Sequence, residues 1–123
     1  MKLSPIVVKF TVPGVVPSLK NQKRLGKGRM FDDPQVKAYK AAFGLFVPPE
    51  YRRLELGTQD DPLQATIRLV QDSWRRDVDA EIVFDCLQDA GVVKNDRWIR
   101  RKIVYGETID PENPRCEITL SYL

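Results

Sequence analysis

Histidine is absent from this 123-residue chain, and that removes whole classes of chemistry. There is no Ser-His-Asp or Cys-His nucleophile system, no histidine-ligated zinc and no histidine general base. Any hydrolytic activity must rest on carboxylates, lysines or a hard metal ion held by oxygen ligands. Cysteine is scarce. The two present, Cys86 and Cys116, are too few for a disulfide framework or a structural zinc site. Both lie within apolar patterns, which predicts reduced core thiols. Long apolar runs are missing too. At the N-terminus only Ile6-Val7-Val8 precedes Lys9, too short a run for a signal peptide or a membrane span, so a cytoplasmic protein with no membrane partner is expected. There is also no low-complexity tract, internal repeat or linker. With 42% hydrophobic and 30% charged residues, the composition is that of a globular protein. The length suits a single domain over residues 1–123, with a modest core that dimerisation would help to stabilise.

Charge is unevenly distributed. The net charge of +3 divides into +8 for residues 1–53, with eleven Lys and Arg against three Asp and Glu, and −5 for residues 54–123, with nine against fourteen. Basic segments suit phosphate backbones, whereas clustered acids repel them unless a metal ion intervenes. A metal-dependent enzyme acting on nucleic acid fits both halves.

Ile6 to Val12 is rich in β-branched residues and runs into Pro13-Gly14, the pattern of a strand ending in a turn. From Pro17 to Phe31 there are five cations, two glycines and no acid. Lys20, Asn21, Lys23, Arg24, Lys27 and Arg29 make this loop a candidate DNA-binding segment, the alternative being an ordinary solvated hairpin. Asp33-Pro34 is a helix start, and Val36, Tyr39, Ala42, Phe43 and Phe46 follow at helical spacing until Pro48-Pro49 stops the helix. Pro62 to Val70 alternates as a strand. A second helix is expected from about Ala80 to Ala90, with Asp79 as its N-cap, Gly91 as its stop, and Ile82, Val83, Cys86, Leu87 and Ala90 as its buried stripe. A polar turn at Lys94-Asn95-Asp96 leads into a strand from about Trp98 to Thr108. After the Asp110–Pro114 turn, Cys116 to Tyr122 alternates as a final strand. The order β-α-β-α-β-β predicts a small α/β (α+β) domain, a mixed sheet with two main helices.

Asp77 and Asp79 lie two residues apart where the chain leaves a strand, and Asp96 follows one helix later. In this topology the turn after the helix can return close to the helix start. Three carboxylates around Mg²⁺, or Mn²⁺ in its place, are what phosphodiester hydrolysis needs, because the metal activates water and offsets charge on the phosphate. Asp-x-Asp before a helix is equally an N-capping pattern, so spacing alone leaves both readings open. Arg75, Arg76, Lys94 and Arg97 would set cations beside the scissile phosphate. Trp74 and Trp98 flank the two acid segments, either as base-stacking platforms or as core and interface residues.

Arg75-Arg76-Asp77-Val78-Asp79, the Phe84–Val93 stretch Phe-Asp-Cys-Leu-Gln-Asp-Ala-Gly-Val-Val, and Asn95-Asp96 together resemble the core of RusA-type Holliday-junction resolvases, the crossover junction endodeoxyribonucleases. The Pro17–Arg24 loop, Gly28-Arg29-Met30-Phe31 and Tyr39-Lys40 are similar to that family's N-terminal loop, Gly-Arg-aromatic turn and tyrosine-bearing helix. The resemblance covers roughly residues 10–105, and its specific part is 75–96. It implies a small homodimeric endonuclease, often phage-encoded, that works in a bacterial or phage-infected cell. Such an enzyme would bind four-way or branched DNA and make paired symmetrical cuts with Mg²⁺ in recombination and repair. It further implies metal-binding and catalytic roles for Asp77, Asp79 and Asp96; Asp85 matches a helix acid of the family and is read here as structural or interfacial. A two-fold dimer would present two identical sites to the two strands. The family's lysine one turn into the second helix is missing, since Ala80-Glu81-Ile82-Val83 contains none and the helix is two residues shorter. Either another cation takes its place, with Lys94 the first candidate and Arg76 or Lys20 behind it, or the protein is a weakened or inactive branched-DNA binder.

Overall fold

In a computed structural model, which describes residues 5–19 and 33–123, the chain forms a four-stranded mixed sheet with two helices. The elements are β1 (Ile6–Pro13), α1 (Pro34–Phe46), β2 (Leu63–Val70), α2 (Glu81–Asp89), β3 (Ile99–Tyr105) and β4 (Arg115–Tyr122). This is the expected β-α-β-α-β-β order. The strands lie in the order β1-β4-β2-β3. β4 pairs antiparallel with both β1 and β2, while β2 and β3 are parallel. Parallel neighbours cannot be joined by a tight turn, so α2 serves as the crossover between them.

Strand alternation decides which face is covered. Val8, Phe10 and Val12 of β1, Leu63, Ala65, Ile67 and Leu69 of β2, and Cys116, Ile118 and Leu120 of β4 are buried, in one cluster with Val36, Tyr39 and Phe43 of α1 and Ile82, Val83, Cys86 and Leu87 of α2. The intervening residues Lys9, Thr11, Gln64, Thr66, Arg68, Glu117 and Thr119 turn to the other face, which no helix of the described residues covers. One face packed and one wet is the usual arrangement for such a sheet. Both cysteines are free and buried, and burial pushes each thiol up to about 12, as inert core thiols should behave.

The ends of the helices follow local chemistry. The Asp33 carboxylate accepts from the backbone N–H of Gln35 and Val36 at 2.8 and 3.3 Å, with Pro34 in the first turn. At the other end of the second helix, Gly91 adopts φ +74°, and a side chain there would press on the Arg53 backbone at 3.2 Å. Two expectations shift. Phe46, which falls at helical spacing with Val36, Tyr39 and Phe43, is 48% exposed, and Val47 beyond the helix end is buried instead. The strand expected from Trp98 to Thr108 is shorter, because Asp96–Trp98 form a 3₁₀ turn capped by Asn95 and pairing with β2 ends at Tyr105. Pro49–Tyr51 form a further 3₁₀ turn beyond the first helix.

On the open face Glu117 accepts from Arg68 and from Arg115, each at 3.0 Å, and Arg68 also reaches Thr108. The Arg68 guanidinium holds the Glu117 carboxyl below its ordinary range, and Arg115 adds to the effect. A carboxyl lowered on folding stabilises above its unfolded pKa of about 4.3 and loses that contribution as pH falls through the lowered value. Glu117→Gln is therefore expected to lower the melting temperature at pH 7 and to converge on the wild type as the pH drops below about 4, as thermal denaturation across pH will show.

Candidate functional site

The segment between β2 and α2 carries the first two acids, and it does not present them alike. Asp79 is buried at 8% exposure. One of its oxygens accepts from the hydroxyl of Ser18 and the backbone N–H of Leu19, both at 2.9 Å, and the other from the backbone N–H of Glu81 at 3.0 Å. This carboxylate thus binds the loop after β1 to the first turn of α2. Ala80 is the formal helix cap, and Asp79 caps from one residue earlier. Asp77 is exposed and lines a different cleft, with Val16, Pro17, Ser18, Gln35, Arg75 and Arg76. Its backbone carbonyl is held by the Gln71 amide at 2.8 Å.

Asp96 sits at the opposite end of α2. Its backbone N–H donates to Gln88 Oε1 at 2.9 Å, so it is tied to the helix's last turn as Asp79 is tied to the first. The nine residues of α2 span about 13 Å. The two residues are thus anchored at opposite ends of the helix. Among the described residues no group of three or more carboxylates or cysteines stands close enough to hold one metal ion. Asp77 lines a different cleft from the one that Asp79 and Asp96 share.

Asp79 and Asp96 nevertheless line one open cleft of about 430 Å³, shared with Val78, Glu81, Phe84, Asp85, Lys102 and Val104. It runs along α2 beside the edge strand β3. Asp85, expected to be structural or interfacial, lies between the two outer acids. Burial raises its carboxyl above the ordinary range; Lys40 opposes the shift, while Asp96, Asp89 and Glu81 add to it. Four acids therefore line one cleft, Asp79, Glu81, Asp85 and Asp96, a concentration of carboxylates that favours cations. Mg²⁺ is commonly held by one or two carboxylates with water and substrate oxygens completing the shell, a demand that Asp85 and Asp96 can meet more readily than the original trio.

The expected cations separate. Lys94 lines another cleft with Gly57, Thr58, Gln59, Asn95, Arg97 and Trp98, and no acid is among those residues. Arg97 stacks over Trp98 at 4.9 Å, and Trp98 is half-buried whereas Trp74 is 74% exposed. Arg76 forms a two-pronged pair with Asp72 at 2.8 and 3.1 Å, while Arg75 stays exposed beside Asp77. Lys20, Asn21, Lys23, Arg24, Lys27 and Arg29 lie outside the described residues. Sequence reasoning passed over Arg100, Arg101 and Lys102, three consecutive exposed cations on β3. Their signal was a charged run inside a strand, which also serves to protect a sheet edge from unwanted pairing. The open sheet face has its own cleft, but its acid, Glu117, is paired with Arg68.

Because the Asp79 carboxylate ties the loop after β1 to α2, Asp79→Ala will cost about 2–3 kcal/mol in urea denaturation, since buried donors lose a charged acceptor. Asp77→Ala, at an exposed position, should stay within about 0.5 kcal/mol of wild type in the same measurement. The chain matches no protein-family model and no curated protein.

Proposed function

We propose that this chain is a metal-dependent, structure-selective DNA endonuclease that resolves four-way junctions as a homodimer, the activity its RusA-like motifs imply. The observation that supports this most is the single cleft that Asp79, Asp85 and Asp96 all line although the chain separates them. The cleft borders a strand bearing Arg100, Arg101 and Lys102. Acids for a cation beside cations for a phosphate backbone is the pairing that metal-assisted phosphodiester hydrolysis requires. In this reading Asp85 and Asp96 hold Mg²⁺ or Mn²⁺, which supplies charge neutralisation and an activated water. Asp79 supports the site by fixing the loop after β1 against α2. Arg75 and the cations of β3 follow the DNA backbone, and two copies act on opposing strands in the cytoplasm of a bacterial or phage-infected cell.

A second reading is a branched-DNA-binding protein with weakened or no catalysis. It is favoured by the engagement of both Asp79 oxygens in hydrogen bonds and by the position of Asp77 on another cleft. A labelled four-way junction incubated with the protein and Mg²⁺ separates the two. The nuclease reading expects paired nicks placed symmetrically about the crossover. It also expects Asp96→Asn to slow cleavage about 100-fold while junction binding holds or tightens, because a negative charge has gone. A gel shift without nicks supports the binder instead, and cutting confined to flaps, forks or RNA duplexes would reassign the substrate.

A further inference from the structure

Lys102 is set apart from its neighbours by the sheet register. Arg101 pairs with Gln64 and Ile103 with Thr66, both on the open face, whereas Lys102 pairs with fully buried Ala65 and so turns to the helix-covered face. A lysine on that face would be costly in the middle of a sheet. At the edge strand its stem can lie along apolar surface while the ammonium stays in water. Its Nζ stands 4.4 Å from the centre of the Phe84 ring, within the first two turns of α2. Lys102 is also the cation that shares the cleft with Asp79, Glu81, Asp85 and Asp96 among the described residues. It makes no ion pair within 4 Å among those residues. The ring holds the ammonium in place, and the charge is not consumed by a carboxylate.

A cation so held does what the acids cannot. A phosphodiester entering this acid-lined cleft needs a cation, and the compact ammonium of Lys102 offers its oxygens a favourable contact. Resting on the nuclease reading above, we infer that Lys102 is the catalytic residue that holds a non-bridging oxygen of the scissile phosphate. It forms no bond and transfers no proton; it stabilises the charge that gathers on the phosphate as the backbone is cut.

The buried cysteines make a clean test. Cys86 and Cys116 are 3% and 0% exposed, so in a Lys102→Cys variant 2-bromoethylamine will alkylate the new thiol selectively and restore an ammonium at nearly the original reach. Single-turnover cleavage of a four-way junction at saturating protein is expected to fall about 100-fold in Lys102→Cys and to recover at least about tenfold after alkylation. Junction binding measured in Ca²⁺ should stay within about threefold throughout, since one backbone contact among many is changed. Cleavage by Lys102→Cys within about threefold of wild type overturns the inference while leaving the nuclease reading intact. The same holds for a loss seen in binding but not in the rate at saturation, or for no recovery after alkylation. If Lys102→Cys fails to fold by circular dichroism, Lys102→Gln supplies the same rate comparison against Lys102→Arg, which should retain more activity. A wild-type protein that leaves the junction uncut overturns both.

Discussion

The parallel pairing of β2 with β3 governs this molecule more than any other contact. Two parallel neighbours need a crossover, and α2 with its flanking turns is the whole of it. The strand ends, the helix start and the returning turn are then forced to one edge of the sheet. Every acid of the candidate cleft lies on that path: Asp79 and Glu81 where the helix begins, Asp85 along it, and Asp96 where the chain turns back. The crossover is held at both ends by polar contacts, the Asp79 carboxylate at the first turn and Gln88 with the Asp96 backbone at the last.

This arrangement separates two roles that a carboxylate before a helix can have. Asp79 accepts backbone and hydroxyl donors from two parts of the chain, and a buried carboxylate used in this way is a structural element whatever else it does. Asp85 has the opposite character. It has acid neighbours and partial burial, so its charge is costly without a cation. Lys102 and Lys40 approach the acids from β3 and α1, the two elements beside α2.

Much of the architecture was legible because it depends on local rules. Alternation marked β2 and β4, Asp33-Pro34 marked the start of α1, and Gly91 marked the end of α2, where only a residue without a side chain fits easily against Arg53. The exposed Phe46 and the shortened β3 escaped the same rules. Phe46 falls at helical spacing, but it is half exposed, and Val47 beyond the helix end takes the buried place. At β3, three charged residues gave little alternation from which to judge where pairing ends.

By itself the sequence determined the kind of chemistry available: no histidine, an acidic half with aspartates around one helix, and a basic half suited to phosphate. It also determined the element order, since periodicity and turn residues act over a few positions. Which charges meet was decided only in three dimensions. Spacing cannot tell that a helix about 13 Å long keeps Asp79 and Asp96 at its two ends. Nor can it tell that Lys94, two residues from Asp96, faces another cleft while Lys102, from the next strand, joins the acids. Proximity along the chain is set by covalent bonds, but proximity in the cleft is set by the register of β2 against β3.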